Sequence, residues 1–174
     1  LQTKLQNQLM VTGWLVGRWG FLIHDNRQQY NVATGWQKPQ EDEFAIMNMG
    51  ACSPYLRMAF PNNGPIHDEF LDMKDIDPQK LEKWKKTVVK FVKMVSLKGK
   101  GRTVVLKSPP HLGRIEILSE LFPDAKFIHI SRSPYSLFPS TMRLWKAMDH
   151  TQAFQRPTHE YLEEYVFGNL EKMY

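Results

Sequence analysis

Cysteine is almost absent: Cys52 is the only one in 174 residues. No disulfide can form within the chain, so it is not a small secreted scaffold held by cross-links. Long apolar runs are missing too. The most apolar stretch, Trp14–Ile23, is interrupted by Arg18 and is too short to span a bilayer as a helix. No leader of the basic–apolar–small type is expected, since Leu1 opens directly into a Gln/Lys-rich segment. No internal repeat and no low-complexity tract occurs. No His/Cys/Asp/Glu group has metal-ligand spacing, and no Gly-x-x-x-x-Gly-Lys-Ser/Thr loop is found.

What is present suits one globular domain, expected to cover residues 1–174. Apolar residues make up 42%, aromatic residues 12% and charged residues 24%. A chain of this length can bury roughly 70% of the surface that it exposes when unfolded. The formal net charge is +5, which makes an anionic partner plausible. Eight lysines and one arginine fall within Lys80–Arg102. The spacing there explains them without a ligand. Asp77 is a good N-cap and Pro78 a good first helical residue. Leu81, Trp84, Val88, Phe91 and Val95 then repeat at three- and four-residue intervals, which predicts a helix whose lysines face water and which stops at Gly99 and Gly101. A nucleic-acid surface would instead interleave aromatic residues with the basic face.

Elsewhere, residues 5–23 suggest one or two apolar helices around Gly13, Gly17 and Gly20, and Asn31–Gln40 reads as a turn. Glu41–Met49 can open a helix, with acid in its first turn. Thr103–Leu106 and Lys126–Ser131 read as buried strands. His129 falls inside the second and is expected to be a core residue. The helix between them carries Ile115, Leu118, Leu121 and Phe122. Two further helices are expected, near Leu137–Met148 and Thr158–Met173. A strand–helix–strand unit predicts a parallel pair. The expected class is therefore α/β, an open parallel sheet flanked by helices with about two or more strands visible.

Open α/β sheets bind ligands beyond the carboxyl ends of their strands. Two such ends carry chemistry. Lys107-Ser108-Pro109-Pro110-His111 follows the first, and Ser131-Arg132-Ser133-Pro134, then Pro139-Ser140-Thr141, follow the second. Pro139 suits the first turn of a helix. Arg132, the Ser140 hydroxyl and free backbone N–H groups would then converge as they do around a phosphate.

These segments, with Pro39-Gln40-Glu41-Asp42-Glu43-Phe44-Ala45 and Ser53-Pro54-Tyr55-Leu56 upstream, resemble the sulfotransferase family, in particular its bacterial-type branch. The resemblance spans about Ala33–Tyr174. It implies a P-loop-like α/β fold and transfer of a sulfuryl group from 3′-phosphoadenosine 5′-phosphosulfate (PAPS) to an acceptor hydroxyl or amine, with no metal. It assigns Arg132 and Ser140 to the 3′-phosphate. Lys107 would bind the donor and stabilise the leaving oxygen, and His111 would be the general base; Glu41 and Glu43 are rival bases, since other branches use a glutamate. The family's Pro-x-x-Gly-Thr-Thr-like 5′-phosphosulfate loop has no counterpart before Gln40, so the chain is expected to be a piece of a longer enzyme, incomplete at both ends. The expected partner is a small-molecule, lipid or carbohydrate acceptor rather than nucleic acid, and the expected compartment is the cytoplasm. The competing readings are another P-loop transferase, such as a nucleotide kinase, and a non-enzymatic anion- or nucleic-acid-binding module.

Overall fold

The computed structural model describes residues 41–174 and, before them, the backbone of two short strands. These are β1 (Asn26–Arg27) and β2 (Val32–Ala33), paired antiparallel with Asn26 opposite Ala33. The apolar helices expected over residues 5–23, and most of the turn expected over Asn31–Gln40, lie outside the described residues.

Residues 41–174 form one compact unit built from helices. In chain order these are α1 (Asp42–Asn48), α2 (Glu69–Asp72), α3 (Pro78–Lys98), α4 (Ile115–Leu121), α5 (Pro134–Gln152) and α6 (Leu162–Met173). Three 3-10 segments connect them, at Pro54–Ala59, Pro61–Asn63 and Pro109–Arg114. Each begins with proline, whose fixed φ and missing N–H suit a first helical position.

Helix α3 follows its sequence closely. The Asp77 carboxylate accepts from the N–H groups of Gln79 and Lys80, both at 3.0 Å. Trp84 and Val88 are completely buried, while Lys80, Lys83, Lys86, Lys90 and Lys93 lie off that face. Trp84 and Val88 join Ile46, Ala51, Phe70, Ile117 and Leu118 in one core. A second core holds Leu162, Tyr165 and Val166 against Phe138, Met142, Trp145 and Leu170. Beside it the Arg57 guanidinium donates to Asp149 at 3.1 Å. It lies 5.1 Å from the Trp145 ring centroid and 4.4 Å from that of Tyr165. This buried cation ties the Pro54–Ala59 segment to α5 and α6.

The expected parallel sheet is not found among the described residues. Neither Thr103–Leu106 nor Lys126–Ser131 joins a ladder with another described segment. Val105 is 86%, Ile128 89% and Ile130 73% exposed. The physical reason is that a parallel strand is stable only with neighbours along its edges and layers over both faces. Apolar, β-branched composition supplies neither. His129, expected in the core, is exposed and lies 6.1 Å from the Tyr174 ring.

Helix α5 also departs from its sequence. It begins at Pro134, with Ser133 in the cap position, which leaves Pro139 inside it. Ser140 is therefore in the second turn, about 9 Å along the axis from Pro134 at 1.5 Å per residue. The free N–H groups of the first turn and the Ser140 hydroxyl do not occupy the same place. Pro134 provides an equally good first position for a helix, and periodicity alone does not choose between it and Pro139.

Candidate functional site

The densest polar constellation joins the start of α1 to residues 107–114. Four side chains of the later segment meet three successive acids of the earlier one. Lys107 Nζ pairs with Glu41. The Ser108 hydroxyl donates to Asp42 Oδ1 at 3.0 Å and accepts from the Glu43 N–H at 3.1 Å. His111 Nε2 lies 2.6 Å from Asp42 Oδ2. Arg114 holds Glu43 with two donors, at 2.5 and 3.0 Å.

Local sequence explains this registry. Ser108 is extended (φ −148°, ψ 135°), and Pro109 and Pro110 then turn the chain into its 3-10 segment. That turn brings His111 and Arg114 back toward the face already met by Lys107 and Ser108. Gly113 is needed for the approach: a Cβ there would overlap the Leu71 carbonyl of α2. The acids are fixed from their own side. Ser53 donates to Glu43 Oε1 and Tyr55 to Glu41 Oε2, both at 2.6 Å.

Burial grades across the constellation. Glu43 and Arg114 are wholly buried, and Arg114 also donates to the Phe70 carbonyl at 2.6 Å and faces the Trp84 ring at 5.2 Å. Removing one partner of such a pair leaves an uncompensated buried charge. Asp42 and His111 come next, with side chains 4% and 16% exposed. Burial pushes the Asp42 carboxyl up, but the hydrogen bond and charge of His111, with the Ser108 hydroxyl, bring it below the ordinary carboxylate range. Tyr55 is held protonated by burial and by the neighbouring Glu41 carboxylate. Lys107 is the exposed end, its side chain 74% accessible.

Of the residues singled out by sequence, Lys107, His111, Glu41 and Glu43 come together here. Both Glu43 oxygens are engaged, by Arg114 and by Ser53. Arg132 is exposed, Ser140 is half-buried, and neither hydrogen-bonds to this constellation or to the other among the described residues. Sequence reasoning passed over Asp42, Ser53, Tyr55, Ser108 and Arg114 as site residues. Each lies within or just beyond a motif that it did single out, and Arg114 follows His111 by three, one turn of a 3-10 helix.

Among the described residues no group of three or more His, Cys, Asp or Glu side chains can hold a metal. No helix there is long and apolar enough to cross a membrane.

The model of the sulfotransferase family matches residues 61–174. Two curated relatives, the omega-hydroxy-beta-dihydromenaquinone-9 sulfotransferases of Mycobacterium bovis and Mycobacterium tuberculosis, are each 40% identical over 168 residues, 97% of this chain and 43% of theirs. The chain thus spans less than half the length of the curated relatives it matches. No solved structure matches.

Proposed function

Since the chain belongs to the sulfotransferase family, we propose that it carries the acceptor-activating half of a PAPS-dependent sulfotransferase acting on the hydroxyl of a lipid-like alcohol. The observation that carries this reading is the interlocked set Lys107–Glu41, Ser108–Asp42, His111–Asp42 and Arg114–Glu43. It presents a cation at the surface beside a histidine already hydrogen-bonded to a carboxylate. The lipid-like acceptor is suggested by the name of the relatives, whose substrate is a hydroxylated menaquinone.

PAPS, when bound, supplies an electrophilic sulfuryl group with adenosine 3′,5′-bisphosphate as its leaving group. The donor set suits such an anion: Lys107 and Arg132 are exposed cations, and Ser140 adds a hydroxyl. His111 accepts the proton of the acceptor hydroxyl as its oxygen bonds to sulfur. Lys107 neutralises the bridging oxygen, which keeps the electron pair of the broken S–O bond. Arg132 and Ser140 hold the 3′-phosphate, Arg132 through charge-assisted bonds. Glu43 fixes Arg114 and, through its own N–H, Ser108. It is a positioning group in this proposal and not the base.

The test is transfer of labelled sulfuryl from PAPS to a hydroxylated isoprenoid quinone. Lys107→Ala is expected to lower kcat by about 10²–10³-fold, the cost of removing one donor from a site of developing charge. Stability should scarcely change, because an exposed pair contributes only ~0.2–1 kcal/mol. An undiminished kcat would sink the role given to Lys107. Full activity in His111→Gln would pass the base role to Glu41, which adjoins Lys107.

A further inference from the structure

His111 has two ring nitrogens in different circumstances. Nε2 lies 2.6 Å from Asp42 Oδ2. Nδ1 is enclosed and has no hydrogen-bond partner among the described residues. We infer that Asp42 is a positioning residue that holds His111 as the Nε2–H tautomer, leaving the Nδ1 lone pair as the atom that takes the acceptor's proton. This rests on the reading of His111 as the base.

A carboxylate accepts only, so the proton in the Nε2···Oδ2 contact sits on the imidazole. A neutral imidazole carries one N–H, so with Nε2 protonated Nδ1 must bear the lone pair. Asp42 is itself tightly held. Its Oδ1 accepts from Ser108 at 3.0 Å, and Ser108 is pinned by the Glu43 N–H. The carboxylate thus cannot swing away to release the ring.

The unpartnered Nδ1 is the second observation. Buried polar atoms nearly always have partners, and an enclosed acceptor facing no donor is costly. Nδ1 is covered in the chain as it stands, so a hydroxyl reaches it only when the covering groups give way; once there it supplies the missing hydrogen bond and places its proton on the atom that will receive it. In the transfer step the O–H proton moves to Nδ1, the oxygen pair forms the O–S bond, and the S–O(phosphate) pair leaves with the bisphosphate. The imidazolium that results is stabilised by Asp42 across Nε2–H. The carboxylate orients the ring beforehand and balances its charge afterwards, and it need not be protonated itself.

The tautomer is read directly from the side-chain ¹⁵N shifts of His111 in the 174-residue chain, assigned by loss of the signals in His111→Gln. The wild type should show protonated Nε2 and unprotonated Nδ1. In Asp42→Asn this bias should disappear, because an amide can donate to Nε2 and push the proton to Nδ1. Asp42→Glu should restore it in part. A wild-type ring protonated on Nδ1, or a tautomer unchanged in Asp42→Asn, would overturn the inference. Since the wild-type spectrum needs no variant, a misfolded mutant does not remove the test.

The kinetic arm uses PAPS with the hydroxylated isoprenoid quinone. Asp42→Asn should lower kcat by about 10²–10⁴-fold and leave KM within a few-fold. An equal kcat in an active wild type and Asp42→Asn would also overturn the inference. A wild type that transfers no sulfuryl group even when joined to the rest of the enzyme's length rejects the functional reading instead, and the spectrum then still decides whether Asp42 sets the ring.

Discussion

Two segments of this chain begin alike and end differently. Thr103–Leu106 and Lys126–Ser131 are both apolar runs outside regular structure, and each leads to a cation and a proline. After the first, Lys107, Ser108, His111 and Arg114 all find partners on residues 41–43. After the second, every residue from Pro123 to Ser136 is exposed, and Arg132 forms no ion pair among the described residues. Acids from a distant part of the sequence organise the first segment. Among the described residues, the second meets none. A side chain already held loses little freedom when it binds a ligand, whereas a long exposed arginine must be ordered by the ligand itself. On the proposed function, the proton-handling groups are therefore prearranged, and the phosphate-binding groups are not.

The largest effect should come from cutting the buried centre of the organised segment. Arg114→Ala or Glu43→Ala strands a fully buried charge and should cost about 3–5 kcal/mol of stability. Arg132→Ala should change stability by no more than about 0.5 kcal/mol. Urea unfolding of the three variants measures this contrast directly. A mild Arg114→Ala would mean that the constellation is not what holds α1 to residues 107–114.

A smaller effect, in the opposite place, is expected from ligand binding. Arg132→Ala should weaken adenosine 3′,5′-bisphosphate by about 1.5–3 kcal/mol, the value of a hydrogen bond to a charged group. Calorimetry with ADP as the control tests both the arginine and the preference for a 3′-phosphate. Equal affinity in variant and wild type would remove Arg132 from the site. Equal affinity for the two nucleotides would favour a general P-loop transferase.

The same contrast explains what could be read in the sequence. Helix α3 was fully legible, because its cap, first proline, apolar spacing and terminal glycines are all local signals. Helices α1, α4 and α6 were legible to within a few residues for the same reason. The sheet was not, since whether Val105 and Ile128 are buried depends on neighbours that their own composition does not specify. At the site, the motifs pointed to Lys107 and His111, and to Glu41 and Glu43 as rival bases, but not to which side chain pairs with which. Asp42 read only as acid in the first turn of a helix. Only the fold shows that Asp42 faces a histidine and Glu43 an arginine. Arg57 and Asp149 went unnoticed because a buried ion pair 92 residues apart leaves no periodic trace.

The smallest effect separates the constellation at α1 from the Arg57 centre by acid. The Asp42 carboxyl lies below its ordinary value of 3.8 in the folded chain. Its contribution to stability is thus present above that value and is lost as pH falls through the folded one. Asp149 is moved the other way, because burial raises it by more than Arg57 and His159 lower it. A raised carboxyl favours the folded state below its unfolded value, and that contribution is lost as pH rises through the folded one. Asp42→Asn and Asp149→Asn should therefore show opposite pH slopes in stability relative to the wild type. In urea unfolding between about pH 3 and 7, the deficit of Asp42→Asn should shrink in acid. The wild type should lose ground against Asp149→Asn as pH rises. Slopes of the same sign would mean that one of the two carboxylates is held differently from the way its neighbours indicate.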